Sequence, residues 1–149
     1  MGANPTSTVF TTGYSNRTNI SGGTFIAYCF APIQGYSKFG SYTGNGSTDG
    51  PMVFCGFKPA WVMIKHTGAS EVWRIFDSAR DTHNAMEKDL FPNLNNAEGS
   101  GTARLDFLSN GFKIRDSGNA LNDSGGNLIF MAFASSPFVG SDGVPTTAR

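Results

Sequence analysis

The densest set of reactive side chains in this 149-residue chain is Asp77-Ser78-Ala79-Arg80-Asp81, with Trp73 just before it and His83 just after. The carboxylates of Asp77 and Asp81 could accept hydrogen bonds from sugar hydroxyls. Arg80 could donate a planar fork, and Trp73 or His83 could offer a flat face to a sugar ring. Those five residues form a candidate carbohydrate-binding set. The plainer use of the same residues is mechanical, with Arg80 bridging the two carboxylates where the chain leaves a strand. Adding Glu87 would supply the carboxylates a glycosidase pairs, although carboxylates on loops are more commonly just solvated.

Other chemistry finds little support. The only histidines, His66 and His83, lie beside no serine or cysteine motif of the kind that activates a nucleophile. Gly-x-Ser-x-Gly, His-Glu-x-x-His and phosphate-loop patterns do not occur. The expectation is a non-enzymatic protein without a cofactor. Asp116, Asn119, Asn122 and Asp123 place hard oxygens two or three residues apart and are weak calcium candidates. Their spacing fits an Asx-rich turn better than any calcium loop. Cys29 and Cys55 each sit in an apolar, strand-like run and are expected to be buried free thiols. Four Asn-x-Ser/Thr sequons, at Asn16, Asn19, Asn45 and Asn122, carry little weight without a secretory signal.

Charge excludes two partner classes. Eleven basic residues balance eleven acidic ones, leaving no net field to draw the chain onto nucleic acid or an anionic membrane. The apolar runs at residues 25–32 and 128–134 are strand-sized, far short of the roughly 20 residues a membrane helix requires. The first nineteen residues are polar and do not resemble a signal peptide. A protein made in a cytoplasm is expected.

These side chains must be held by strands. The charged fraction is 15%, against roughly 25% in ordinary soluble domains, while 19 glycines and 13 phenylalanines suit short strands joined by tight turns. Alternating patterns predict strands at 8–12, 24–31, 36–42, 52–57, 60–66, 72–77, 103–108, 111–115 and 127–133. The fold class is therefore all-β, an antiparallel two-sheet sandwich. Apolar residues on both faces of Trp61-Val62-Met63-Ile64-Lys65 mark a central strand. Ser109-Asn110-Gly111 predicts a hairpin whose Asn-Gly pair takes the positive φ angles of a type I′ turn. Residues 77–100, interrupted by Pro92 and several asparagines, predict one long, partly irregular excursion. Trp61 and most phenylalanines alternate as core residues do, leaving Trp73, Tyr14 and Tyr42 as candidates for exposed aromatic contacts.

The chain also repeats itself. Ser21-Gly22-Gly23-Thr24-Phe25-Ile26-Ala27-Tyr28-Cys29-Phe30-Ala31 returns as Ser124-Gly125-Gly126-Asn127-Leu128-Ile129-Phe130-Met131-Ala132-Phe133-Ala134, with six of eleven positions identical at an offset of 103. The same offset pairs Asn16 with Asn119 and Asn19 with Asn122. Residues 1–33 then read as the closing hairpin of a preceding repeat, 34–138 as a complete sandwich repeat and 139–149 as a tail. A hairpin alone cannot bury its apolar face. It is expected to dock on this sandwich or a neighbouring one, unless the N-terminal third is a disordered remnant.

From Gly35 through Tyr42-Thr43-Gly44-Asn45-Gly46-Ser47 and Gly56-Phe57-Lys58-Pro59-Ala60-Trp61, the chain resembles a family of repeated domains in tail, fibre and other structural proteins of marine phages. The likeness continues at Trp73-Arg74-Ile75-Phe76-Asp77-Ser78-Ala79-Arg80-Asp81 and Asp106-Phe107-Leu108-Ser109-Asn110-Gly111-Phe112-Lys113. It closes at Ser124-Gly125-Gly126 and Phe130-Met131-Ala132-Phe133-Ala134. Met52 and Cys55 depart from it, standing where an aromatic and a Thr or Ser are more usual. The resemblance implies a concanavalin-like jelly roll built into a virion, often in tandem, with no enzymatic activity. Its implied partners are copies of itself, as a homo-oligomer, other virion proteins and host cell-surface glycans. A purely architectural subunit that assembles by strand exchange is the alternative.

Overall fold

The structure, a computed structural model, describes residues 4–13 and 15–137; Tyr14 and the tail at 139–149 lie outside the described residues. The chain divides into two compact units between residues 30 and 31. Among its described residues the second unit is an all-β sandwich of seven strands and one helical turn: β1 (Ser37–Thr43), β2 (Met52–Phe54), β3 (Trp61–His66), β4 (Arg74–Asp77), β5 (Leu105–Leu108), β6 (Gly111–Ile114), α1 (Asn119–Asn122) and β7 (Asn127–Phe133). One sheet runs β1-β7-β3-β4 and the other β2-β6-β5, with every pairing antiparallel.

Strand period sets the layers. Val62 and Ile64 of β3, Phe76 of β4, and Leu128, Phe130 and Ala132 of β7 point inward from the four-stranded sheet. They meet Val53, Leu105, Phe107, Phe112 and Ile114 from the other sheet in one buried cluster. Two aromatic contacts clasp the sheets: the Phe112 ring lies 5.3 Å from Phe130 and 6.2 Å from Tyr42, both edge to face. Such pairs add about 0.5–1.5 kcal/mol beyond the area they bury. β1 carries glycine opposite Phe130, and a Cβ on Gly40 would stand 3.0 Å from that ring.

β3 is flanked by β7 and β4, as its two apolar faces predicted. The β5–β6 hairpin forms, but not with the expected turn. Its loop residues are Ser109 and Asn110, because Leu108 pairs with Gly111, and no described residue other than glycine has positive φ. Gly111 serves close approach instead: a Cβ there would lie 2.0 Å from the Val53 carbonyl oxygen of β2. β2 stops early, since Gly56 turns the chain at φ +83°.

The excursion is irregular, as expected, yet it is bound to both sheets. Ile75 of β4 and Leu90 exchange backbone hydrogen bonds of 3.0 Å, while Met86 donates to the Leu105 carbonyl of β5 at 2.7 Å. One segment thereby covers the open edge of each sheet on that side of the sandwich. Uncovered edges would otherwise present unpaired N–H and C=O groups.

The first unit departs from expectation. No strand forms among the described residues 4–30, so the strands expected at 8–12 and 24–31, and with them the closing hairpin, are absent. The matching strand β7 has a neighbour on each side, and a two-stranded ribbon without a third layer is marginal in water. What does form is local: a turn at residues 15–19 and another at 20–23.

Both cysteines are free, but only Cys55 is buried; Cys29 is exposed. Burial pushes the Cys55 thiol up to about 11. Tyr42, expected to be exposed, turns inward and donates to the Leu121 carbonyl at 2.6 Å; burial raises its phenol well above the usual range.

Two outcomes follow. Phe112→Ala should lower stability by about 3–5 kcal/mol, measured by urea unfolding with the denaturant slope unchanged. Because Cys55 and Tyr42 are held protonated in the fold, the stability they contribute is complete below pH about 9 and is lost as pH rises toward the Cys55 value of about 11. Unfolding curves between pH 8 and 11 should shift accordingly, and iodoacetamide should label Cys29 in the native protein but Cys55 only after unfolding.

Candidate functional site

The excursion leaves β4 through an Asx turn. The Asp77 carboxylate accepts the Ala79 N–H at 2.7 Å, and the Arg80 and Asp81 N–H groups bond to the Asp77 carbonyl at 3.1 and 3.0 Å. Asp81 then accepts the N–H groups of Glu87 and Lys88 at 2.6 and 3.1 Å. Arg80 does not bridge these carboxylates as the mechanical reading held. It reaches across the excursion to Glu98 at 2.7 Å. Both aspartates are thus committed to backbone donors, which pin the exit of β4 and the return of the chain.

A cavity of about 100 Å³ opens here, lined by Lys58, Ser78, Asp81, Thr82, His83, Asn84, Met86 and Phe107. It is well below the roughly 300 Å³ at which drug-sized ligand pockets begin, and it suits one polar group or a few waters. Of the five residues singled out for sugar binding, Asp81 and His83 line it; Trp73, Asp77 and Arg80 do not. Trp73 is half-buried, and its backbone N–H bonds to the Asn93 side chain at 3.0 Å. A larger open depression of about 580 Å³ lies between Thr48, Asn84, Ala85, Ala103, Asp106 and Arg115.

Deeper in the excursion is a charged pair not anticipated from sequence. Asp89, completely buried, is bonded by the Arg74 guanidinium, which also lies 5.2 Å from the centre of the Phe91 ring. Glycine at 99 is required: a Cβ would stand 2.0 Å from Asp89 Oδ1. Two further pairs, Arg104 with Asp116 at 2.5 Å and Arg115 with Asp106 at 2.6 Å, tie β5 and β6 to their flanks.

The calcium candidates are dispersed among separate tasks. Asp116 holds Arg104 and the Gly118 N–H, and Asn119 is exposed. Asp123 accepts from His66 Nε2 at 3.1 Å, while His66 Nδ1 accepts the Gly68 N–H at 3.0 Å. That second bond makes Nε2 the protonated nitrogen of a neutral ring. Asn122 is fully buried and clamps the loop after β1. It accepts the Asn45 N–H at 2.8 Å and donates to Asn45 Oδ1 at 3.0 Å and to the Ser47 carbonyl at 2.7 Å. Among the described residues, no group of three or more His, Cys, Asp or Glu side chains could hold a metal ion. No helix among them is long and apolar enough to cross a membrane.

Fold and site together define a two-sheet antiparallel sandwich whose polar clusters mostly bond within the chain. The chain belongs to a family described as a domain of unknown function, DUF7483, whose model matches residues 1–137 and so spans both units. Neither a curated protein nor a solved structure matches the chain.

Asn122→Ala should cost about 1–3 kcal/mol, since it removes the three hydrogen bonds by which this buried side chain holds the 45–47 loop. Thermal melts would register the loss, and amide exchange at Asn45 and Gly46 should accelerate more than at Leu105.

Proposed function

We propose that this chain is a non-enzymatic structural module of a phage virion, a concanavalin-like jelly-roll repeat used in a tail, fibre or surface part. One observation carries the reading: the stretch that closes the sandwich, 124–134, occurs a second time at 21–31, where it has no sheet to close. A chain carrying a spare closing segment is suited to serial or oligomeric assembly with copies of itself or other virion proteins.

Weak binding of host cell-surface glycans is the second part of the proposal. Its candidate surface is the small cavity lined by Asp81 and His83, with Arg80 next to Asp81 in the chain, and affinity would come from many copies acting at once. The purely architectural alternative is favoured by one specific feature. Asp77 and Asp81 already accept backbone N–H groups inside the excursion, and Arg80 already donates to Glu98.

Antibody labelling and mass spectrometry of purified particles should find the chain in the virion; its absence from intact particles would overturn the proposal. Multimerised protein on a glycan array should give a signal that His83→Ala and Arg80→Ala lower about tenfold through loss of avidity. A blank array with the protein still on the particle leaves the architectural role.

A further inference from the structure

The spare segment is more than a sequence echo, because the turns that lead into it, residues 15–23, already have the backbone conformation of the ones they match. In the sandwich, Leu121 and Asn122 donate to the Gly118 carbonyl at 3.1 and 2.8 Å, forming α1. At the offset of 103, Thr18 and Asn19 donate to the Ser15 carbonyl at 3.0 and 2.7 Å. The turn that follows is likewise duplicated. Gly126 donates to Asp123 at 2.9 Å with Gly125 at φ +77°, and Gly23 donates to Ile20 at 3.1 Å with Gly22 at φ +73°. Both second glycines sit in close quarters: a Cβ on Gly126 would stand 2.5 Å from His66 Nε2 and 2.8 Å from Asp123 Cβ, and one on Gly23 would stand 2.4 Å from Ile20 Cγ2.

The two copies diverge where tertiary contacts begin. After its turn, β7 enters a lane between β1 and β3 and buries Leu128, Phe130 and Ala132. The residues at the matching positions are Phe25, Ala27 and Cys29, yet no strand forms there and Phe25 is 47% exposed. Ile26 and Tyr28, on the opposite face of the pattern, are 78% and 80% exposed. Asn19, the counterpart of the buried clamp Asn122, is exposed as well.

We propose that residues 15–31 are the closing unit of a second sandwich of this family, one whose β1-like and β3-like strands flank an empty central lane. This rests on the structural role argued above and names its partner. The register carries over from β7: Ile129 lies opposite Ser41 of β1 and Lys65 of β3, so Ile26 takes the same place between the partner's strands. Asn19 enters a loop like 45–47 and satisfies both of its polar edges. Substitutions in the segment describe how the partner differs from this sandwich. Ala27 stands where Phe130 packs over Gly40, so the partner carries a bulkier side chain at that β1 position. Ile20 replaces Asp123, so the group facing it is apolar rather than a histidine such as His66.

The test places residues 34–117 of this chain directly before Ser15 of the full sequence, which makes 15–31 the natural continuation of the added block. A second version carries Ala27→Phe and Thr18→Leu, to suit a lane built for Phe130 and Leu121. Amide exchange is read at Thr24 through Phe30. The expected result is exchange at least about a hundredfold slower in one or both fusions than in the parent chain, with Asn19→Ala reversing most of the gain. Parent-like exchange in both fusions overturns the inference, as does protection that ignores Asn19→Ala. These outcomes are separable from the virion proposal: unprotected fusions with the chain still on particles would fail the inference alone, and protected fusions with the chain absent from particles would fail the role alone.

Discussion

The sandwich depends on one lane of main-chain hydrogen bonds, the seat of β7 between β1 and β3. The last strand in the described chain is an interior strand of its sheet, paired along its whole length with β1 and along most of it with β3. Without it, β1 would have no neighbour in its sheet, and Leu128, Phe130 and Ala132 would be missing from the core. The approach to the lane is steered by polar groups. Asn122 locks the 45–47 loop, and Gly44 exchanges backbone bonds with Gly125 and Gly126. Contacts of this kind join residues nearly eighty positions apart, so the sheet closes only after the chain has been brought round. Folds dominated by such non-local pairing form slowly.

A second constraint is the treatment of open edges. β4 and β5 end their sheets on the same side, and the excursion between them answers both by pairing Leu90 with Ile75 and Met86 with Leu105. To hold an irregular segment against two sheets, the chain uses charges in place of a regular ladder. Buried Asp89 is bonded by the partly buried Arg74, Asp77 and Asp81 accept backbone N–H groups, and Arg80 reaches Glu98. A buried carboxylate is tolerable only with such partners. This is why the polar residues that look most like a binding site in sequence are largely occupied in structure. What is left for a ligand is the small cavity that Asp81 and His83 line and the larger open depression beside Asp106 and Arg115.

Several features were legible before folding. Alternation located all of β1 through β7 within a residue or two except β2, which ends three residues short of the expected 57, and doubly apolar 61–65 identified an inner strand. Where reading failed, the deciding contact was remote. Asn110-Gly111 invited a type I′ turn, but Gly111 is glycine because Val53 of another strand crosses it at a distance no side chain allows. Residues 24–31 have the pattern of a strand and form none among those described, because pattern supplies a face and not a neighbour. Asn122 was read as one oxygen among four in a turn. Its pairing with Asn19 through the repeat was the available signal that it does something its neighbours do not.

By itself the sequence determined the all-β class, the sites of the turns and the presence of a duplicated closing segment, since these follow from period-2 hydrophobicity, glycine placement and self-similarity, which are local. Its 15–23 stretch even adopts the same turn geometry as 118–126 in the absence of a strand after it. Only the tertiary structure decided that β7 lies inside its sheet, that the excursion seals two edges, that Asp81 is taken up by the N–H groups of Glu87 and Lys88, and that Asn122 is buried against the loop after β1. Those outcomes depend on which distant strands become neighbours, and hydrogen bonding between strands is indifferent to side-chain identity until the packed core selects one register.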